Sequence, residues 1–302
     1  MYLYIFSKLL SESMLSFYPI FVKIINISLD LQLWSRFITY IIISAFFIDF
    51  NFIYKNLFSK SGLMLSFITA LHVYFSYKGF LLLESGIAYT LFYTYPIMIL
   101  LLSREKFNPL FIFTLLGVYI LSSNKKEGFN ISENDGRDKN ERNNEKDTTT
   151  QSKEIFNEKN VKEKFKHEGL LMILLAAFTE ALIYFNIRKI KTNNNWNHIF
   201  ISYFLGAIAL TFIVFNKITK LNVRKTLSIS LLLNGGIGLF GYLLRFFATT
   251  HLSTKLYSSL SYFGILMSYV YGVIISKDVI SFSKIIGTLC IIIPNLIVLL
   301  TK

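Results

Sequence analysis

The stretch Glu84–Leu121, ESGIAYTLFYTYPIMILLLSREKFNPLFIFTLLGVYIL, holds two long apolar runs joined by a short polar hairpin, and its reading decides the fold. A bilayer core of about 30 Å is crossed by roughly 20 mostly apolar residues in a helix, which satisfies its own backbone hydrogen bonds. Windows of that kind recur at 7–27, 32–50, 62–83, 85–103, 107–123, 169–188, 198–216, 227–249, 254–275 and 280–300. The expectation is an all-α integral membrane protein with ten transmembrane helices. Lys8, Glu12 and Lys23 interrupt the first window. The connections are short enough to force antiparallel neighbours, except across 124–168.

Composition agrees. Of 302 residues, 53% are hydrophobic and 17% aromatic against 16% charged, and the mean hydropathy is +0.51. The formal charge of +13 invites a polyanion, so the placement of the charges decides. Residues 124–168 carry 11 basic and 11 acidic residues, which leaves 20 basic and 7 acidic elsewhere and the whole surplus among the spans. Cations scattered singly between apolar runs fit loops that flank a membrane and argue against a nucleic-acid groove. The single cysteine, Cys290, offers neither a disulfide within the chain nor a metal framework, and no cofactor is expected. The N-terminus lacks the basic start and small-residue cleavage site of a signal peptide and reads as part of the first span.

The insert at 124–168 has few large apolar residues and mixed charge, so it is expected to stay disordered as a linker. It divides the windows five and five, into repeats at 1–123 and 169–302. A weak likeness relates them: Glu84–Leu121 corresponds to Leu252–Leu300, LSTKLYSSLSYFGILMSYVYGVIISKDVISFSKIIGTLCIIIPNLIVLL, each with a hairpin acid, Glu105 or Asp278. Leu15–Lys23, LSFYPIFVK, corresponds to Glu180–Lys189, EALIYFNIRK, each ending a span in a cation. Five spans per half is odd, so the halves are inverted relative to each other, the usual construction of secondary transporters with a site near the midplane.

With these residues in place the chain resembles the EamA-type transporters of the drug/metabolite transporter superfamily. The likeness rests on Ala88 to Pro96 with Glu105, on Lys23 and Arg188 closing the first helix of each half, on Arg36 in the second helix, and on Asp278 with Gly287. Thr114 stands where that pattern has Gly, and Gly264-Ile265 replaces Pro. The resemblance implies a cytoplasmic N-terminus, on which loop charge is silent at ten cations to nine. It also implies a cavity surrounded by spans one, three, four, six, eight and nine.

Ionisable groups deep in spans are functional candidates, because burying them in hydrocarbon is costly. Glu180, Arg245, His72 and Glu12 qualify, and all lie on the spans that the resemblance places around the cavity. Glu180 reads as a proton-titrating carboxylate or as half of a buried ion pair with Arg245. Arg245 reads as that partner or as the counter-ion of a substrate carboxylate or phosphate. His72 reads as a core histidine bonded across helices or as a site group, and Glu12 equally as a site group or as reaching the interface.

Tyr89 and Tyr93, four residues apart, line one face with Ser85 and Pro96, and Tyr262 stands with Ser258, Ser261 and Tyr269 on the ninth span. Such a face suits a moderately polar organic solute. Pro19 and Pro96 are expected where helices bend, while Pro109 reads as a first-turn proline. Lys78 and Glu84 read as interfacial anchors or an exposed pair.

The leading function is a secondary active transporter moving a small organic metabolite by alternating access, with proton coupling through Glu180. The alternative is an exchanger of anionic, nucleotide-like or phosphorylated solutes, using Arg245 and Lys78. A membrane enzyme is the remote alternative, since none of His72, His167, His198 or His251 is followed four or five residues on by an acid. NGGIGLFG opens no βαβ unit and reads as close helix packing. Expected partners are a small-molecule substrate and the lipid bilayer, without nucleic acid. Homodimerisation and the particular membrane, plasma or organellar, stay open.

Overall fold

A computed structural model describes residues 1–103, 109–123, 148–218, 224–277 and 279–300. Every element in them is helical. The helices are α1 Tyr2–Leu15, α2 Tyr18–Ile24, α3 Leu29–Ala45, α4 Phe50–Asn56, α5 Lys60–Leu82, α6 Ser85–Phe92, α7 Tyr95–Leu102 and α8 Phe111–Ser123. After the insert come α9 Thr148–Lys189, α10 Asn195–Ile218, α11 Arg224–Leu233, α12 Phe240–His251, α13 Thr254–Ser261, α14 Phe263–Tyr271 and α15 Phe282–Leu300. Two π-helical stretches, Asn234–Leu239 and Gly272–Ser276, continue α11 into α12 and end α14.

Each apolar window falls on helix, and six stretches are long and apolar enough to cross a membrane: Lys60–Leu82, Ser85–Leu102, Lys166–Lys189, Asn195–Ile218, Lys225–His251 and Thr254–Ile275. The remaining windows fall on α1 with α2, on α3, α8 and α15. The hairpin acids Glu105 and Asp278 lie outside the described residues, as do 124–147. α9 begins at Thr148, within the insert and about twenty residues before its apolar segment. Its Lys and Glu side chains favour helix, and continuity with an already formed helix removes the nucleation cost.

Local chemistry sets the helix ends. The Asp49, Ser59 and Ser253 side chains accept from the backbone N–H groups of Phe52, Gly62 and Leu256, satisfying donors that a first turn leaves orphaned. Pro19 and Pro96 each occupy the first turn of the second half of an interrupted helix, α2 and α7, where the missing N–H costs nothing. The two expected bends are therefore breaks, at Ser16–Phe17 and Tyr93–Thr94. The Pro109 carbonyl accepts from Ile112 N as α8 begins.

Packing runs across the two halves of the chain. α5 lies along α9, α3 along α10, α8 along α15, α1 along α12, α6 along α14 and α7 along α13. Glycine allows the closest of these approaches: a Cβ on Gly117 would meet the Gly287 carbonyl, joining α8 to α15. The bundle turns large apolar side chains such as Phe212, Leu232, Ile274 and Phe282 outward and keeps charged and hydroxyl groups within, the distribution of a protein whose solvent is lipid. Hydrogen bonds from Asn194 to the Phe47 carbonyl and from Asp49 N to Asn197, with Tyr4 stacked on His251, gather residues 1–4, 47–56, 188–197 and 250–254 at one end.

Candidate functional site

The middle of the bundle buries five ionisable side chains in one network. Glu12 and Lys8 are 0% exposed, Arg245 and His72 1%, and Glu180 3%. Arg245 Nη1 donates to Glu180 Oε1 at 2.6 Å and Nη2 to Glu12 Oε2 at 2.9 Å, so one guanidinium bridges two carboxylates. Arginine suits that position because its planar fork presents several donors and keeps its charge when desolvated. Glu12 also accepts from Lys8 one turn earlier on α1, and from the Tyr93 hydroxyl. Lys8 further donates to Tyr95 Oη at 3.3 Å and sits 3.6 Å from the Tyr257 ring centre. The Tyr95 hydroxyl donates to Ser261 Oγ at 2.8 Å. Two cations and two carboxylates balance, which is how charge is tolerated in a low-dielectric interior.

His72 on α5 completes the network. Its Nδ1 lies 3.1 Å from the Ala176 carbonyl, which only accepts, so the neutral ring carries its proton on Nδ1. Nε2 is then an acceptor, placed 3.3 Å from the Tyr242 hydroxyl and 3.3 Å from Glu180 Oε2. Glu180 Oε2 is buried without a hydrogen-bond partner. An imidazole lone pair and a carboxylate oxygen thus face each other across a gap that one added proton would close.

Four of the charged candidates and Tyr93 therefore meet. Glu12, which the sequence left between a cavity group and an interfacial one, is at the centre, because α1 packs lengthwise on α12 and places it against Arg245. Arg245 binds Glu180 and Glu12 together through Nη1 and Nη2, while its Nε is buried without a hydrogen-bond partner among the described residues. Tyr89 packs against Tyr93 with ring centres 4.9 Å apart and the rings tilted by 60°. Tyr262 is buried with its hydroxyl unpartnered among the described residues and makes no contact with the ionic cluster. Ser85 receives Lys23 Nζ at 3.2 Å, and Tyr269 pairs with Thr288 at 2.9 Å, so both serve packing. Lys78 pairs with Glu168 at 2.5 Å at the margin of the bundle rather than with Glu84, which Lys284 holds at 2.7 Å. Sequence reasoning missed Lys8, Tyr95 and Tyr257. The i,i+4 spacing of Lys8 and Glu12 was the available signal.

Among the described residues no group of three His, Cys, Asp or Glu is arranged to hold a metal ion. A vestibule of about 730 Å³ opens at the end of the bundle that carries Asp49, Arg188, Lys191, Asn194 and Asn197. Arg188 there donates from Nε to the Thr249 carbonyl at 3.1 Å and from Nη2 to the Leu252 carbonyl, capping the end of α12.

Comparisons with known proteins agree with this architecture. Residues 167–300 match the family model of the EamA-like transporter family, part of the drug/metabolite transporter superfamily. No curated protein matches the chain by sequence. Seven chains among solved structures match in fold. One, a crystal structure of a protein described no further, superposes with a TM-score of 0.56 at 14% identity, covering 98% of this chain and 95% of that one. At that identity the likeness concerns the fold alone.

Proposed function

We infer from the EamA-like match over residues 167–300 and the six stretches able to cross a bilayer that this integral, multi-pass membrane protein is of drug/metabolite transporter type. We propose that it is a secondary active transporter of a small organic metabolite, built as two inverted five-helix halves and coupled to protons at the His72–Glu180 pair.

The packing pattern supports the inverted halves. Numbering the apolar windows one to ten, exchanging each with the window five places away carries the α5–α9 contact onto the α12–α1 contact. The same exchange maps α3–α10, α8–α15 and α6/α7–α13/α14 onto themselves. Such a pattern is what a pseudo-two-fold axis in the membrane plane produces.

The observation that carries the coupling is the gap between His72 Nε2 and Glu180 Oε2. A proton entering it creates a hydrogen bond where two acceptors now face, and weakens the claim of Glu180 on Arg245. The groups around the pair are Arg245 and Tyr242 from α12, Lys8 and Glu12 from α1, and Thr179 from α9. Lys8, Glu12, His72, Tyr93 and Tyr95 come from the first half of the chain and Glu180, Tyr242, Arg245, Tyr257 and Ser261 from the second, so the network is a latch between the halves. Protonation loosens the latch, and alternating access follows from rocking of the halves around it.

Uptake into proteoliposomes, measured for amino acids, nucleosides, nucleotides and S-adenosyl compounds with and without a pH gradient, tests this. Glu180→Gln is expected to abolish gradient-driven accumulation with membrane insertion intact. Near-normal gradient-driven uptake by that variant would refute the role of the pair. Indifference to the gradient together with strict counter-substrate dependence would favour the alternative, an exchanger of anionic, nucleotide-like or phosphorylated solutes; Arg245 and Lys78 have carboxylate partners in this conformation.

A further inference from the structure

A second buried guanidinium lies beside the latch and is held differently. Arg36 on α3 is 2% exposed, and among the described residues no carboxylate reaches it. Five tyrosines surround it, their ring centres 4.7 Å (Tyr18), 5.4 Å (Tyr40), 5.6 Å (Tyr77), 5.7 Å (Tyr203) and 4.7 Å (Tyr242) from the guanidinium carbon. Nη2 donates to the Tyr203 hydroxyl at 2.9 Å, whereas Nε has no hydrogen-bond partner.

The cage is itself positioned. Asn234, first residue of the π-helical stretch, accepts from Tyr18 at 3.0 Å and Tyr77 at 3.4 Å and donates to Ser35 at 3.1 Å. A Cβ on Gly238 would strike the hydroxyls of Tyr18 and Tyr40. π-Helical turns of this kind recur at functional sites.

Ring faces and neutral tyrosine hydroxyls are poor compensation for a charge that never deprotonates in a dry interior. The latch groups sum to zero, so Arg36 leaves this part of the membrane interior one positive charge in excess. Between Arg36 and the latch is a cavity of about 10 Å³, room for about one water, bounded by Tyr18, Arg36, His72, Ser76, Tyr242 and Arg245. Phe80, Tyr89 and Phe92 close its far side.

Resting on the transport reading above, we propose that the Arg36 cage is the subsite for the single negative charge of the transported solute, a carboxylate on a compact or aromatic body. In this closed conformation the cavity has room for about one water, and the carboxylate and its body enter against the aromatic wall when the halves separate. One excess cation calls for a monoanion. A guanidinium with an unoccupied donor binds a carboxylate with charge-assisted hydrogen bonds. The position also links solute to latch, since an anion seated there lies between Arg36 and the His72–Arg245 side of the cavity and draws on both guanidinia.

The test is thermal unfolding of the purified full-length protein in detergent, in chloride-free sulfate buffer. The probes are formate and benzoate, with formamide and benzamide as their uncharged counterparts. The expected result is a concentration-dependent rise in Tm with formate, benzoate or both and none with the amides. The rise is lost in Arg36→Gln and partly kept in Arg36→Lys, which restores charge without the fork. Stabilisation by the amides to the same extent, or retention of the carboxylate effect in Arg36→Gln, overturns the proposal. Protection by chloride with none by either carboxylate also overturns it, in favour of an inorganic anion. Should Arg36→Gln fail to fold, the charge series on the unsubstituted protein decides: a response to the carboxylates alone supports the subsite, and a response to all probes or to none removes it. Carboxylate binding without uptake would keep this subsite and defeat the transport reading, and uptake unchanged in Arg36→Gln would do the reverse.

Discussion

Replacing Glu12 with glutamine removes the carboxylate shared by Lys8 and Arg245 while leaving the shape of the side chain. At an effective dielectric near 20, unit charges 2.9 Å apart attract by about 6 kcal/mol before the desolvation of both ions is subtracted. Arg245 keeps Glu180 at 2.6 Å, but Lys8 has no other carboxylate partner among the described residues. Stranding one ion of a buried pair costs roughly 3–5 kcal/mol, so Glu12→Gln is expected to destabilise the fold by about 3 kcal/mol, most of it through Lys8. Lys8→Met alone leaves Glu12 with Arg245 and Tyr93 and costs about 2 kcal/mol, by the same reasoning with a partner retained. The double variant keeps a balanced Arg245–Glu180 pair, so its loss should also be about 2 kcal/mol, not the additive 5 or so, a coupling of about 3 kcal/mol. Unfolding titrations of the four proteins in mixed micles of rising denaturing-detergent fraction measure the cycle. Losses that add to within roughly 0.5 kcal/mol would refute the shared-carboxylate arrangement.

Other outcomes follow from the same geometry. Gly238→Ala forces a methyl against the Tyr18 and Tyr40 hydroxyls and should destabilise by about 2 kcal/mol in the same titration, with part recovered in the Gly238→Ala/Tyr18→Phe pair; no recovery would mean the strain lies elsewhere. Lys78→Ala breaks an ion pair whose members are 29% and 32% exposed, so less than about 1 kcal/mol should be lost, and a larger value would assign that pair a structural role. Deleting residues 127–160 should leave uptake unchanged, because those residues precede the apolar part of α9; loss of uptake at normal expression would make the insert more than a linker.

Much of the membrane character was legible in the linear chain. Long apolar runs with cations between them require helices in a bilayer, whatever the neighbours, because an unpaired backbone in hydrocarbon is too costly. The deep ionisable residues were equally legible as candidates, since hydropathy alone isolates Glu180, Arg245 and His72. Glu12 was a candidate on the same ground, with the interface as its equal alternative; hydropathy gives depth along one helix and says nothing about which neighbour that helix meets. Lys8 looked like an interruption of a span until α1 lay against α12 and α13. Tyr262 shares its helix with hydroxyl residues that suggested a common face, yet the break between α13 and α14 leaves its hydroxyl away from the cluster.

The contrast between the two arginines separates what sequence determines from what tertiary structure decides. Sequence sets the kind of residue, its depth in an apolar run and therefore the cost of burying its charge, all local properties of the chain. It cannot set the partner, because a counter-ion arrives from residues up to 233 positions away, as Glu12 does to Arg245. Only the folded bundle shows that Arg245 meets both Glu12 and Glu180 while Arg36, marked in sequence merely as a cation in the second helix, is enclosed by tyrosines with no carboxylate among the described residues. Charge in a low-dielectric interior is governed by neighbours within a few ångströms, and those neighbours are assembled by helix packing.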